Sequence, residues 1–255
     1  SNTSKNEWQS PAGSYFTNHP LGGTRKIAIG YPGAATAYKG VGKELLKVYP
    51  HLEKYLEVAW STPLHEKFNT LLFDESIPEK DLYADNRALI LAGEGIASAY
   101  TDLVQNEFEL CPDIAFGYSM GEASAMFCAQ KVWNQQKLGE RFLDSDLFLT
   151  QVAGEKRSVQ SFLNTTSPVD EIWKSYVVIC NRDILEEKLT SYPDVFITFI
   201  NTPRECQISG NPASCEKLLS ELDATSFATW DNTILHHEFI RKDFDELVDL
   251  HSMPV

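Results

Sequence analysis

The chain has 255 residues, 43% hydrophobic and 23% charged, a balance that suits one large domain or a large domain with a smaller lobe. Its formal net charge of −14 argues against nucleic acid and anionic membranes as partners. No apolar run approaches the roughly 20 residues of a membrane-spanning helix. The cysteines (Cys111, Cys128, Cys180, Cys206, Cys215) have no paired spacing and read as free thiols, mostly buried, in a reducing, cytoplasmic compartment. The histidines show no ligand spacing, so no metal site is expected.

In chain order, residues 1–25 read as a polar linker or tag remnant, with Pro11, Pro20 and Gly22-Gly23. A short strand is predicted over 26–31, then a Gly/Ala-rich loop. Helical patterns follow at 43–49, 51–59, 64–73 and 86–107, the last interrupted by Gly93 and Gly95. A strand at 114–117 leads into helices at 121–130 and 134–150. After about residue 170 the pattern changes to strand 176–180, helix 182–191, strands 195–200 and 205–209, and a helix to Leu222 capped by Asn211. The expected organisation is a large α/β subdomain over 26–170 and 224–255, with a smaller two-layer lobe inserted at 171–223. A last helical pattern runs over 239–250.

The most informative stretch is Gly117-Tyr118-Ser119-Met120-Gly121-Glu122. It reads G-x-S-x-G between an apolar strand and an apolar helix. Glycines on both sides leave room for a strained turn that lifts the serine hydroxyl clear of the sheet. The Met120 amide then faces a developing oxyanion, and the helix N-terminus adds positive potential there. Such a serine needs a base, most often histidine. His19 falls in the linker, His51 and His65 on polar helical faces, and His251 near the end of the chain. His236 and His237 stand where the chain returns from the small lobe toward the elbow, and His236 is preferred.

Four segments together resemble the malonyl-CoA:acyl carrier protein transacylases and the acyltransferase domains of polyketide and polyunsaturated-fatty-acid synthases. Ile29-Gly30-Tyr31-Pro32-Gly33 is similar to the family's first strand and its F-P-G-Q-G loop. Gly117 to Ala125 is similar to the G-H-S-L-G-E-Y-S-A elbow. Asn201-Thr202-Pro203-Arg204 with Gln207 to Pro212 resembles the small lobe's N-S-P and I-S-G segment. Leu235-His236-His237-Glu238-Phe239 stands where the family has F-H-S-P-L.

The resemblance covers about residues 26–251. It implies an α/β-hydrolase-like large subdomain with a parallel sheet and a ferredoxin-like small one. It also implies a reaction: Ser119 takes an acyl group from acyl-CoA as an ester, with His236 as base and then acid. The phosphopantetheine thiol of an acyl carrier protein accepts the group, and no bound cofactor is required. The oxyanion would be held by the amides of Met120 and Ala34, and the acyl group would meet Tyr118, Asn201, His237, Arg141 and Asp144. Neighbouring synthase domains are expected partners, the chain reading as part of a larger polypeptide.

Three departures bear on function. Ala34 stands where the family has the glutamine of P-G-Q-G. The position matching the family's carboxylate-binding arginine falls on Asp144, with Arg141 one turn earlier unless an insertion restores it. A carboxylate there would repel a malonyl group, so a monoacyl substrate is expected. The backbone carbonyl that orients the family's histidine falls outside the matched segments. Two rivals stay open: a thioesterase or lipase-like hydrolase, with Asp194, Asp223 or Asp231 as its acid, and a non-catalytic scaffold. For carrier docking the basic candidates are Lys26, Lys39, Lys43, Arg241 and Lys242.

Overall fold

The computed structural model describes residues 7–19, 25–59, 65–229 and 233–253. It is a mixed α/β fold. The segment expected to be a linker instead holds a hairpin, β1 (Glu7–Gln9) and β2 (Tyr15–Thr17), in which Trp8 faces Phe16. Aromatic cross-strand pairs favour such ribbons, and Gly13 takes the φ of +90° that the turn requires. The linker's Pro20 and Gly22-Gly23 lie outside the described residues.

β3 (Ala28–Tyr31) is followed by α1 (Lys43–Val48), α2 (Lys54–Ala59), α3 (His65–Phe73) and α4 (Glu79–Ala84). The long α5 (Asn86–Asp102) comes next, with β4 (Ile114–Gly117) and α6 (Met120–Ser124) after it. β3 and β4 pair in parallel, setting Tyr31 opposite Gly117. α5 is capped by Asp85, whose carboxylate accepts from the amides of Arg87 and Ala88 at 3.2 Å. Its apolar run is buried along most of its length and forms the spine of the main core, with Phe68, Leu72, Phe142, Leu147, Trp173 and Phe239 around it.

The helix predicted over 134–150 is broken. α7 (Gln135–Asp144) ends before Ser145, whose extended backbone stops it, and a wide turn covers Leu147–Gln151. α8 (Arg157–Phe162) and α9 (Val169–Ile172) then fill a stretch with too few apolar repeats to announce them.

The second lobe is the run β5 (Lys174–Ile179), α10 (Arg182–Leu189), β6 (Val195–Thr202), β7 (Glu205–Gly210), α11 (Pro212–Glu221) and β8 (Thr225–Ala228). Its four strands form an antiparallel sheet in the order β6-β7-β5-β8. Tyr176, Val178, Leu185, Ile208, Cys215 and Leu218 make a core separate from that of the large lobe. The sheet continues past residue 223, because β8 pairs with β5 from Tyr176↔Ala228 to Ile179↔Thr225. β8 is exposed throughout and carries no buried face that sequence periodicity could register. A tight turn over Glu238–Asp243 and α12 (Phe244–His251) bring the chain back against α7, where Ser145 donates to Glu246 at 2.6 Å.

Candidate active site

Ser119 sits between β4 and α6 with φ 54° and ψ −122°, a conformation that L-residues rarely adopt. Holding it costs on the order of 1–3 kcal/mol, supplied by the surrounding contacts. Two glycines make that possible. A Cβ on Gly117 would stand 2.0 Å from the Gly121 carbonyl, and one on Gly121 would stand 2.2 Å from the Tyr31 carbonyl oxygen. The turn is closed by the Gly121 amide donating to the Tyr118 carbonyl and the Glu122 amide donating to that of Ser119, both at 2.9 Å.

The serine hydroxyl meets Nε2 of His236 at 2.9 Å, across 117 residues of sequence. Phe199 of β6 packs on the His236 ring at 4.3 Å between centroids and stacks on Tyr118 at 5.7 Å. The small lobe therefore braces both the base and the residue before the nucleophile. The Tyr118 hydroxyl donates to Asn201 Oδ1 at 2.8 Å, and Asn201 in turn donates to Glu205 at 2.9 Å. Asn201 thus lies at the lobe junction, tied to Tyr118.

His237 does something else. Its ring packs among Phe196 at 4.8 Å, Phe239 at 4.1 Å and Trp173 at 6.4 Å, and burial pulls its pKa below the ordinary histidine value. Its Nδ1 is buried with no partner among the described residues. The side chain is a neutral aromatic wedge between the lobes, turned away from the serine's cavities.

Two cavities meet at Ser119 and Ala34. One, of about 270 Å³, opens toward the small lobe and is walled by Tyr118, Phe199, Gln207 and Phe227. The other, of about 480 Å³, runs between α5, α7 and α12 behind Met120, with Trp133, Leu138, Phe142, Phe148, Leu247 and Leu250 on its walls. Leu138 and Phe142 stand one turn apart on α7, as do Ile90 and Glu94 on α5, so each helix turns one face inward.

Neither Asp144 nor Arg141, both expected to meet the acyl group, lies on those walls. Asp144 is exposed at the end of α7. Arg141 points to the chain's end, donating to the Ser252 carbonyl at 2.8 Å and approaching Asp249 at 3.5 Å. Positions 138 and 142 face the cavity and 144 falls on another face of α7, while Arg141, beside them, is held by its contacts with Ser252 and Asp249.

A buried acid that does line this cavity is Glu94, which the sequence reading passed over. It is 4% exposed, and burial pushes its carboxyl up to about 8. A lone acid between Gly93 and Gly95 in an apolar helix was the signal available. Both glycines serve close packing: a Cβ on Gly93 would meet Met120 at 2.7 Å, and one on Gly95 would meet Leu56 at 2.8 Å.

Other nucleophiles fare poorly. Burial pushes the Cys128 and Cys215 thiols up to about 12, far from the thiolate form. Of the acids a hydrolase triad could use, Asp194 accepts from Ser214 at 2.6 Å within the small lobe, Asp223 is exposed beside β8, and Asp231 lies outside the described residues. Among the carrier-docking lysines, Lys43 pairs with Glu75 at 2.5 Å and Lys39 donates to the Ile77 carbonyl.

The chain and its fold have relatives among known proteins. A polyunsaturated fatty acid synthase component of Thraustochytrium sp. is 25% identical over 235 residues, 86% of this chain and 11% of that protein. The malonyl CoA-acyl carrier protein transacylase of Bacillus subtilis is 26% identical over 202 residues, 77% of this chain and 57% of that one. The chain is related to the malonyl-CoA:acyl carrier protein transacylases and to synthase acyltransferase domains. It spans about a tenth of the synthase component and just over half of the transacylase. A solved malonyl-transacylase of a type II polyketide synthase, in complex with its acyl-carrier protein, superposes with a TM-score of 0.68 at 18% identity, over 89% of this chain and 69% of that one. That likeness speaks to the fold of the acyltransferase domain alone. No family model matches the chain.

Proposed function

We propose that this acyltransferase-like domain moves an acyl group from acyl-CoA, through an ester on Ser119, to the phosphopantetheine thiol of a carrier protein. The observation that carries this reading is the 2.9 Å contact between Ser119 Oγ and His236 Nε2 at the meeting point of two cavities. The cavity behind Met120 would take the acyl chain, and the one facing the small lobe would take the pantetheine arm. The order of the small lobe's strands, with β5 and β7 central, fits a ferredoxin-like subdomain over about 174–228 inserted into an α/β-hydrolase-like frame.

In the first half-reaction His236 Nε2 takes the serine proton as Oγ attacks the thioester carbonyl. The amides of Met120 and Ala34 begin short helical turns, so neither has an acceptor within its own turn. Both residues line the cavity with Ser119, and in this reading their amides receive the oxyanion. The intermediate collapses to the Ser119 ester, and CoA leaves as the thiol with the proton from His236. In the second half the carrier thiol gives its proton to His236, attacks the ester carbonyl and restores the serine hydroxyl.

The cargo is a monoacyl group rather than malonyl. Support comes from Phe142 and Leu138 facing the chain where a cation would be needed, since among the described residues the cavity walls carry no lysine or arginine. Incubation with malonyl-CoA, acetyl-CoA and longer acyl-CoAs, followed by intact-mass measurement, tests the reading. Monoacyl adducts on Ser119 that discharge onto a phosphopantetheinylated carrier protein are the expected result. Preferential malonyl loading would refute the cargo assignment, and discharge into water that ignores the carrier would make the protein a hydrolase.

A further inference from the structure

Glu94 is a carboxyl group on the wall of a largely apolar cavity, without a hydrogen-bond partner among the described residues. It is 4% exposed and forms no hydrogen bond or ion pair among the described residues. Its neighbours on the cavity wall are Ile90, Phe142, Phe148 and Leu247. Burying an unpaired acid costs stability that a leucine at the same position would not, and no described residue bonds to the group. Buried polar groups in folded proteins nearly always have partners, so an orphan aimed into a ligand-sized cavity points to a partner that arrives with the ligand.

We propose that the carboxyl group of Glu94 hydrogen-bonds to a hydroxyl or oxo group carried on the acyl chain and so selects oxygenated chains over plain alkyl ones. The inference rests on the reading of this cavity as the acyl site. Three arrangements support it. Glu94 and Ile90 share the inward face of α5, so the carboxyl projects into the same space that the alkyl walls enclose. Burial keeps the group in its neutral acid form at neutral pH, when it both donates and accepts, as a chain hydroxyl requires. The other titratable groups facing the cavity are accounted for differently. His236 holds the serine, His251 Nδ1 meets the Leu247 carbonyl at 2.8 Å, and Glu122 is exposed.

A site built to bond a substrate oxygen rejects the chain that lacks it more strongly than an apolar pocket rejects an added group, because the buried carboxyl is then left bare. The experiment compares a straight-chain acyl-CoA with its counterparts hydroxylated at the second carbon from the thioester carbonyl or at the chain end. Ser119 acylation is followed by intact mass, and kcat/KM is taken for the wild type, Glu94→Gln and Glu94→Leu. The expected result is at least a tenfold wild-type preference for one hydroxylated chain. Glu94→Gln should keep part of that preference through its amide, and Glu94→Leu should bring the ratio to about one or below. Equal loading of plain and hydroxylated chains by the wild type, or an unchanged ratio in Glu94→Leu, overturns the proposal alone. If no acyl-CoA adds mass to Ser119 in the wild type, the acyl-site reading fails and the proposal falls with it.

Discussion

On one side of Ser119 the structure is held by backbone in close contact; on the other it is held by side chains gathered from distant segments. The elbow needs residues 117–121 and the Tyr31 carbonyl, approached so closely that a Cβ on Gly121 would stand 2.2 Å from it. The cavity behind it takes Glu94 from α5, Phe142 from α7 and Leu250 from α12. Backbone contacts that tight leave one sequence solution. Apolar walls accept many residues of similar volume. The chemistry is therefore fixed more rigidly than the cargo, and a related chain could keep the first while changing the second.

The largest effect expected is at the nucleophile. Ser119→Ala should abolish the acyl adduct outright, and His236→Ala should slow acylation by about three orders of magnitude or more, read from the time course of intact mass. A His236→Ala protein that acylates at the wild-type rate would break the pairing of elbow and base. Gly121→Ala tests the backbone side directly. It should lower stability by about 3 kcal/mol or more and remove acylation with it, as thermal melting would show. On the side-chain side, Phe142→Leu should cost only about 1–2 kcal/mol and shift preference toward bulkier chains. If both variants destabilise equally, the contrast between the two regions fails.

Glu94 adds a pH dependence of stability. Burial raises its pKa to about 8, so between the ordinary glutamate range and pH 8 the folded state binds more protons than the unfolded one. Stability contributed by this site therefore falls as pH rises through that window. Glu94→Leu should stabilise the protein by about 4 kcal/mol more at pH 8 than at pH 4, below which the difference no longer changes with pH. Parallel denaturant titrations at the two pH values measure it. A variant whose gain is the same at both would mean that the carboxyl is not desolvated in the folded state.

How far the sequence spoke follows the same division. The elbow was legible because its constraint is local: two glycines around a serine, an apolar strand before and an apolar helix after. His236 was legible as one of an adjacent pair, and the fold separates the two by giving His236 the serine and His237 an aromatic slot against Phe196 and Phe239. The cavity walls were not legible, because which face of α7 turns inward depends on where α12 packs. Counting along the chain led to Asp144 when the helix presents Leu138 and Phe142. The hairpin at Glu7–Thr17 and strand β8 were missed for a related reason, since both are exposed ribbons with no buried face to set a period.

The smallest effect expected is at the residues that counting singled out. Asp144 is exposed, and Arg141 is committed to the Ser252 carbonyl and Asp249. Asp144→Asn should change stability by less than about 0.5 kcal/mol and leave the ratio of malonyl to monoacyl loading where it was. Arg141→Ala should cost somewhat more by loosening the end of α12, again without moving that ratio. Competition between malonyl-CoA and acetyl-CoA for Ser119, resolved by intact mass, reads both. A shift toward malonyl in Asp144→Asn would mean that the carboxylate at 144 reaches the acyl group after all, through a movement of α7 on loading. An unmoved ratio leaves discrimination with the side chains that line the cavity, Phe142 and Glu94, and separates the face of α7 that reads the cargo from the face that ties down the chain's end.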